Sequence, residues 1–264
     1  MIVGQGAVAA LYYANRLVQL PLAVFGTASA QASLPALSEQ AAHGDFQAFH
    51  ATLISVIRMV GFVVIPSAVG LMVLAFPIIG GLFERGAFDH QATVMTARAL
   101  ICYAPGLLAF SLSKSLTGAF YALRETRAPV RLAIHAMVLN AALSVGLMWP
   151  LGIMGLALAA SITNTVNGYR LLHAMEARLD RPILQPIGAS LTRMVGASSL
   201  MGAGCWIIWH QASAILAPWL SLLVVIPCGG ILYLAACKIT GVQELASVFR
   251  WIKRPPTPQF SGGD

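Results

Sequence analysis

Two cations stand where a membrane-spanning helix should be apolar. Arg16 falls within Leu11-Tyr12-Tyr13-Ala14-Asn15-Arg16-Leu17-Val18-Gln19-Leu20-Pro21, and Lys114 within Leu112-Ser113-Lys114-Ser115-Leu116. An arginine at the centre of a span costs roughly 2.5–3.5 kcal/mol on insertion scales, so it needs a partner, a water-filled cavity or a ligand. No Asp or Glu falls inside an apolar run of the chain; Glu39 and Asp89 lie in expected loops. The chemistry this points to is anion binding. A guanidinium fork takes phosphate oxygens in pairs, and a lysine adds a more mobile point charge, so a pyrophosphate or sulfate group is the natural ligand. Asn15 and Gln19 flank Arg16 and are placed to hydrogen-bond into the same cavity, Gln19 sharing its face more nearly. The plainer reading is that Arg16 bonds carbonyls freed at Pro21, and Lys114 carbonyls near Pro105 or Gly118.

The elements that must position these residues follow from composition. The chain is 58% hydrophobic and only 9% charged, with a mean hydropathy of +0.78. Soluble domains carry about 25% charged residues, so an all-α, polytopic transmembrane helix bundle is expected. The net charge of +7 reflects basic residues at span ends, not a nucleic-acid surface: no basic helix or aromatic-interleaved strand set is present. About seven spans are expected, over residues 8–37, 49–83, 93–123, 132–149, 153–172, 194–209 and 217–239. Pro21 and Pro105 are expected to kink the first and third, with Pro66 and Pro77 inside the second. Small residues at Gly155, Ala159 and Ala160 predict close helix packing in the fifth.

Charge sets the orientation. If the loop at 38–50 is cytoplasmic, then Arg124, Arg127, Arg131, Arg170, Arg178, Arg181, Lys238, Arg250, Lys253 and Arg254 share that side, and the C-terminus is cytoplasmic. The opposite side holds Arg85 and, near a span end, Arg98, which is expected to snorkel. The tail from Val242 contains an amphipathic piece, residues 245–252, that reads either as lying on the inner leaflet or as solvated. The organisation expected is residues 1–178 as a transport lobe, 179–241 as an added helix pair and 242–264 as a tail.

Enzymatic chemistry finds no footing. Paired carboxylates at helical spacing, a P-loop, GxSxG and HExxH are all absent from the sequence. The six histidines read as loop or interfacial residues. Cys102, Cys205, Cys228 and Cys237 lack metal-ligand spacing and read as free thiols in apolar runs. No cofactor and no metal site is expected.

The order of these blocks resembles a known family. Residues 10–17 (Ala-Leu-Tyr-Tyr-Ala-Asn-Arg-Leu) with 19–26 (Gln-Leu-Pro-Leu-Ala-Val-Phe-Gly) and 34–38 (Leu-Pro-Ala-Leu-Ser) resemble the MurJ/MviN lipid II flippases. So do residues 82–88 (Leu-Phe-Glu-Arg-Gly-Ala-Phe), 96–100 (Thr-Ala-Arg-Ala-Leu) and 120–130 (Phe-Tyr-Ala-Leu-Arg-Glu-Thr-Arg-Ala-Pro-Val). The match runs from about Gly4 to Arg178. It implies one lobe of a two-lobe exporter fold working by alternating access in the bacterial inner membrane. It also implies movement of an undecaprenyl-pyrophosphate-linked peptidoglycan precursor between leaflets. Arg16 would line the cationic cavity, and a lipid-facing groove on the last two helices would fall at Cys205 to Trp209 and the seventh span. Where the family often carries Asp and some members carry Glu, this chain has Asn15 and Gln19, which makes the cavity more positive. The resemblance begins partway through the family, so an N-terminal lobe is an expected partner. Export of another lipid-linked glycan or of drugs, and a non-transporting scaffold subunit, are the readings left open.

Overall fold

The computed structural model describes residues 6–23, 28–242 and 244. These form ten helices: α1 (Ala7–Pro21), α2 (Ala28–Ala42), α3 (Phe46–Val73), α4 (Ala75–Phe83), α5 (His90–Tyr103), α6 (Gly106–Ala122), α7 (Arg127–Leu151), α8 (Ile153–Leu179), α9 (Leu184–Ala212) and α10 (Pro218–Thr240). Asp45 and Asp89 start α3 and α5 by accepting from the amides of Ala48 at 2.9 Å and Ala92 at 2.8 Å. Gly152, at φ 56°, turns the chain directly from α7 into α8.

By length and hydropathy α3, α7, α9 and α10 can each cross a membrane, and α5 with α6 makes a fifth, bent span. The about seven spans expected from sequence also included residues 8–37 and 153–172. The first of these is divided between α1 and α2, of 15 residues each, and Pro21 is the last residue of α1. The other is α8, whose 27 residues carry Ser161, Thr163, Asn164 and Asn167 near its middle and Arg170, His173, Glu176 and Arg178 toward its end. Pro66 lies inside α3 without interrupting it, whereas the second expected span breaks at Leu74.

Helix α3 is the spine. Phe49, Leu53, Ile57, Val60 and Val64 recur at helical spacing and are fully buried. Its inner end meets α2, α6, α8 and α9 around Phe120, Leu171 and Met175. Its middle meets α1, α5 and α6 around Leu100 and Leu107. A third cluster, with Met194, Cys205, Val225 and Tyr233, joins α9 and α10 to α3. Helix α7 packs chiefly on α8, and its most apolar stretch buries no residue. Ile134, Met137, Val138 and Val145 project outward there, a surface suited to acyl chains.

Close approach is built from small residues, as the sequence suggested. A Cβ at Gly155 would collide with the backbone of Leu147 on α7, and one at Gly106 would lie 2.7 Å from Cα of Ser161. That second contact sits at the bend, where α5 and α6 meet at 49° across Ala104 and Pro105. Ser161 donates to the carbonyls of Cys102 and Tyr103 at the broken end of α5. A neighbouring hydroxyl thereby satisfies backbone groups that a bent span leaves open.

One end of the bundle is held by polar contacts. Glu176 accepts from the amides of Ile183 at 2.7 Å and Leu184 at 2.9 Å, opening α9. Arg178 meets Glu125 at 3.2 Å, and a ring nitrogen of His50 lies 3.0 Å from the Pro182 carbonyl. The amphipathic piece at 245–252 lies outside the described residues, while Val242 and Glu244, just before it, are buried. Glu244 Oε1 lies 3.7 Å from Arg58 Nε and accepts from Ser190 at 2.7 Å, while Arg58 also donates to the Pro186 carbonyl. The physical reason is proximity: Gly241, at φ 69°, ends α10 and turns the chain back against α3 and α9.

Two predictions follow from this end. Arg58→Ala or Glu244→Ala leaves one charge buried without its partner and should cost about 3–5 kcal/mol. Arg58→Met with Glu244→Met should recover most of that in a thermal or denaturant melt of the detergent-solubilised chain. For Glu176, burial pushes the pKa up, but the two amides and the His173 charge outweigh it and hold the carboxyl below its ordinary value. Its contribution is therefore complete above the unfolded value and lost as pH falls through the lowered folded one. Glu176→Gln should flatten that part of an acid-unfolding profile.

Candidate functional site

Helix α1 divides cleanly by face. Ala10, Ala14, Leu17 and Val18 are buried, at the spacing of a stripe that packs on α5. Thr93, Thr96, Ala97 and Leu100 of α5 are buried in return, small enough at most positions for the two helices to lie close. Tyr12, Asn15, Arg16 and Gln19 follow the same helical spacing on the opposite side, and all four are exposed.

Arg16 makes no carboxylate contact among the described residues. Its Nε and Nη2 both donate to the hydroxyl of Tyr12, at 3.0 and 2.7 Å. The guanidinium carbon lies 5.0 Å from the centre of the same ring. Tyr12 in turn meets Tyr13 edge to face at 5.8 Å. Tyr13 points the other way, 4.8 Å from Phe83 and 5.7 Å from Phe88. The turn between α4 and α5 therefore buttresses the helix that carries the arginine.

Lys114 stands on α6, also exposed. Its ammonium lies 5.0 Å from the ring centre of Phe110 and has no hydrogen bond or ion pair among the described residues. Its neighbours Ser113 and Ser115 turn inward and bond the carbonyls of Ala109 and Ser111, one turn back. Both cations are open in this lobe. The reason is geometric: each sits on the helix face turned away from the lobe's core. No contact joins Lys114 to Arg16, and the side chains of Asn15 and Gln19 form no hydrogen bond among the described residues, so only the side chains of Tyr12 and Arg16 are brought together directly. Tyr12 was readable in advance as an i, i+4 partner of Arg16. Arg58 and Glu244 were not, being far apart in sequence.

An apolar cavity of about 490 Å³ opens between α3, α9 and α10. Phe62, Pro66 and Leu71 of α3, Met201 and Cys205 of α9, and Tyr233 of α10 are among its walls. Of the segments where a groove was expected, Cys205 and the seventh span's Ile226, Gly229 and Tyr233 line this cavity, while Trp206 projects outward. Pro21 also lines it, about 7–8 Å along α1 from Arg16 at 1.5 Å per residue. One helix thus carries a cation on its open face and touches an oily cavity at its end. Such an arrangement suits an amphiphile with an anionic head.

A family model described as Lipid II flippase MurJ matches residues 2–226. The chain belongs to the MurJ family. A Vibrio cholerae protein named "Probable lipid II flippase MurJ" is 41% identical over 171 residues, 64% of this chain and 33% of its own length. A Rhizobium meliloti protein of the same name is 32% identical over 260 residues, 95% of this chain and 48% of its own length. A solved chain named "Lipid II flippase MurJ, inward closed conformation" superposes with a TM-score of 0.75 at 25% identity, over 95% of this chain and 49% of that one. The chain spans less than half the length of these MurJ relatives. With the apolar helices, membership of MurJ makes this a multi-pass membrane protein.

The division of α1 is directly checkable. With Cys228 replaced by Ser, Asn15→Cys and Gln19→Cys should react with a membrane-impermeant thiol reagent, and Ala14→Cys and Leu17→Cys should not.

Proposed function

We propose that this chain is the C-terminal part of a lipid II flippase, moving the undecaprenyl-pyrophosphate-linked peptidoglycan precursor from the inner to the outer leaflet. The observation that carries this reading is the pairing on α1 of an arginine that meets no carboxylate among the described residues with an apolar cavity near the same helix's end. The relatives' names supply the substrate. In this reading Arg16 grips the pyrophosphate through its planar fork, Lys114 adds a second charge, and Asn15 and Gln19 bond to the head group. The bent α5–α6 span and the helix end at Pro21 are the places where the lobe would yield between inward-open and outward-open states. The work is translocation by alternating access, not bond making.

The rest of the reading follows from topology. Residues 1–178 form the transport lobe, and an N-terminal lobe supplies the other half of the cavity, since one lobe has nothing to rock against. The protein works in the bacterial inner membrane. The exposed Arg127, Arg131, Arg170, Arg181 and Lys238 face the cytoplasm, and the C-terminus lies on that side. The polar contacts between residues 50 and 182, 58 and 244, and 125 and 178 support grouping those segments at one end.

Arg16→Ala, placed in a complete flippase, should abolish rescue of cells depleted of their own. Arg16→Lys should fall between, because a point charge replaces a fork. Undiminished rescue by the alanine variant would remove Arg16 from the mechanism. Displacement of bound label by small organic cations but not by lipid II would favour drug export instead.

A further inference from the structure

Arg16 has five N–H donors, and its one side-chain partner on the same helix, Tyr12, uses the edge formed by Nε and Nη2. That leaves Nη1 and the second hydrogen of Nη2, which point the same way in a planar guanidinium and match two oxygens of one phosphate. An arginine on an exposed helix face ordinarily samples many rotamers, and a long side chain loses up to about 2 kcal/mol of entropy when fixed. Here the fixing is done before any ligand arrives. The phenol oxygen accepts twice from the cation, which polarises its own O–H.

The tyrosine is itself held. Its ring meets Tyr13 edge to face, and Tyr13 is wedged against Phe83 and Phe88, which also contact each other at 6.0 Å. A continuous aromatic row thus runs from the α4–α5 turn to the guanidinium. We propose that Tyr12 is the positioning residue of Arg16, holding the guanidinium by its Nε edge so that the Nη1–Nη2 edge is presented to a phosphate or pyrophosphate group. The ligand class rests on the function proposed above; the positioning does not.

The test separates the two. The chain is labelled with nitrogen-15 at arginine Nε and placed in nanodiscs, and the Arg16 signal is assigned by its loss in Arg16→Lys. In Tyr12→Phe, which keeps the ring and its contact with Tyr13, the Arg16 Nε–H should shift and exchange with solvent about tenfold faster, as expected for loss of a charge-assisted hydrogen bond. The melting temperature should stay as in the parent chain. Tyr13→Leu should produce a smaller change of the same sign. Titration with inorganic pyrophosphate, and separately with undecaprenyl pyrophosphate supplied in the nanodisc lipid, should show about tenfold weaker binding for Tyr12→Phe. An unchanged Arg16 signal in Tyr12→Phe overturns the positioning role, as does unchanged affinity alongside a changed signal. A changed signal with no binding of either probe by the parent chain supports the positioning and removes the anion reading. Loss confined to the lipid-linked probe identifies a lipid head group, not a free ion, as the ligand.

Discussion

A guanidinium in a membrane protein must be paired, hydrated or liganded, and this chain handles two of its arginines in opposite ways. Arg58 is tied into the bundle: it donates to the Pro186 carbonyl and lies beside the buried Glu244, which also holds Ser190. Among the described residues Arg16 meets a phenol oxygen and no carboxylate, and it remains open. The first arrangement closes a joint between α3, α9 and the end of α10. The second keeps a cation available. The same side chain serves as structure in one place and as binding chemistry in the other, because a carboxylate neutralises the positive field that a phenol leaves intact.

The helices are arranged so that this contrast survives. Helix α3 gives the lobe a heavily buried spine, and α1 lies against α5 through small residues, so its polar face stays outside the packing. The bend at Pro105 departs from regular helix without stranding carbonyls in the interior, because Ser161 reaches two of them across a contact that Gly106 makes possible. Alpha helices α9 and α10 add a wall against α3, and the gap that remains is the apolar cavity. A cationic face and an oily recess thereby come to share α1, with Pro21 between them. Neither feature alone selects an amphiphilic anion; their separation along one helix does.

The site was only partly legible. Arg16 and Lys114 stand out in any hydropathy reading because charge interrupts apolar runs. Their openness did not, since a sequence cannot say which face of a helix its neighbours cover. Tyr12 was four residues from Arg16, a spacing that a local rule catches. The pairing of Glu244 with Arg58 was not legible, because the partner lies on α3 and nothing local marks a carboxylate that folds back into the bundle. The lining of the apolar cavity was hidden for a similar reason. Which residues of α9 line it depends on the rotation of that helix against α3 and α10.

What the sequence by itself determined is the class of molecule and its chemistry. Long apolar runs with few charges require backbone bonds to be satisfied within helices, and unpartnered cations in those runs require an anion or water. Proline and glycine positions, read locally, located the bend at Pro105 and the close contact at Gly155. The tertiary structure alone decided how many single helices suffice to cross, which arginine is paired and which is free, and where the cavity opens. Those outcomes depend on contacts between residues far apart in the chain, and helix periodicity constrains spacing along one axis while leaving the rotation of each helix about that axis to its neighbours.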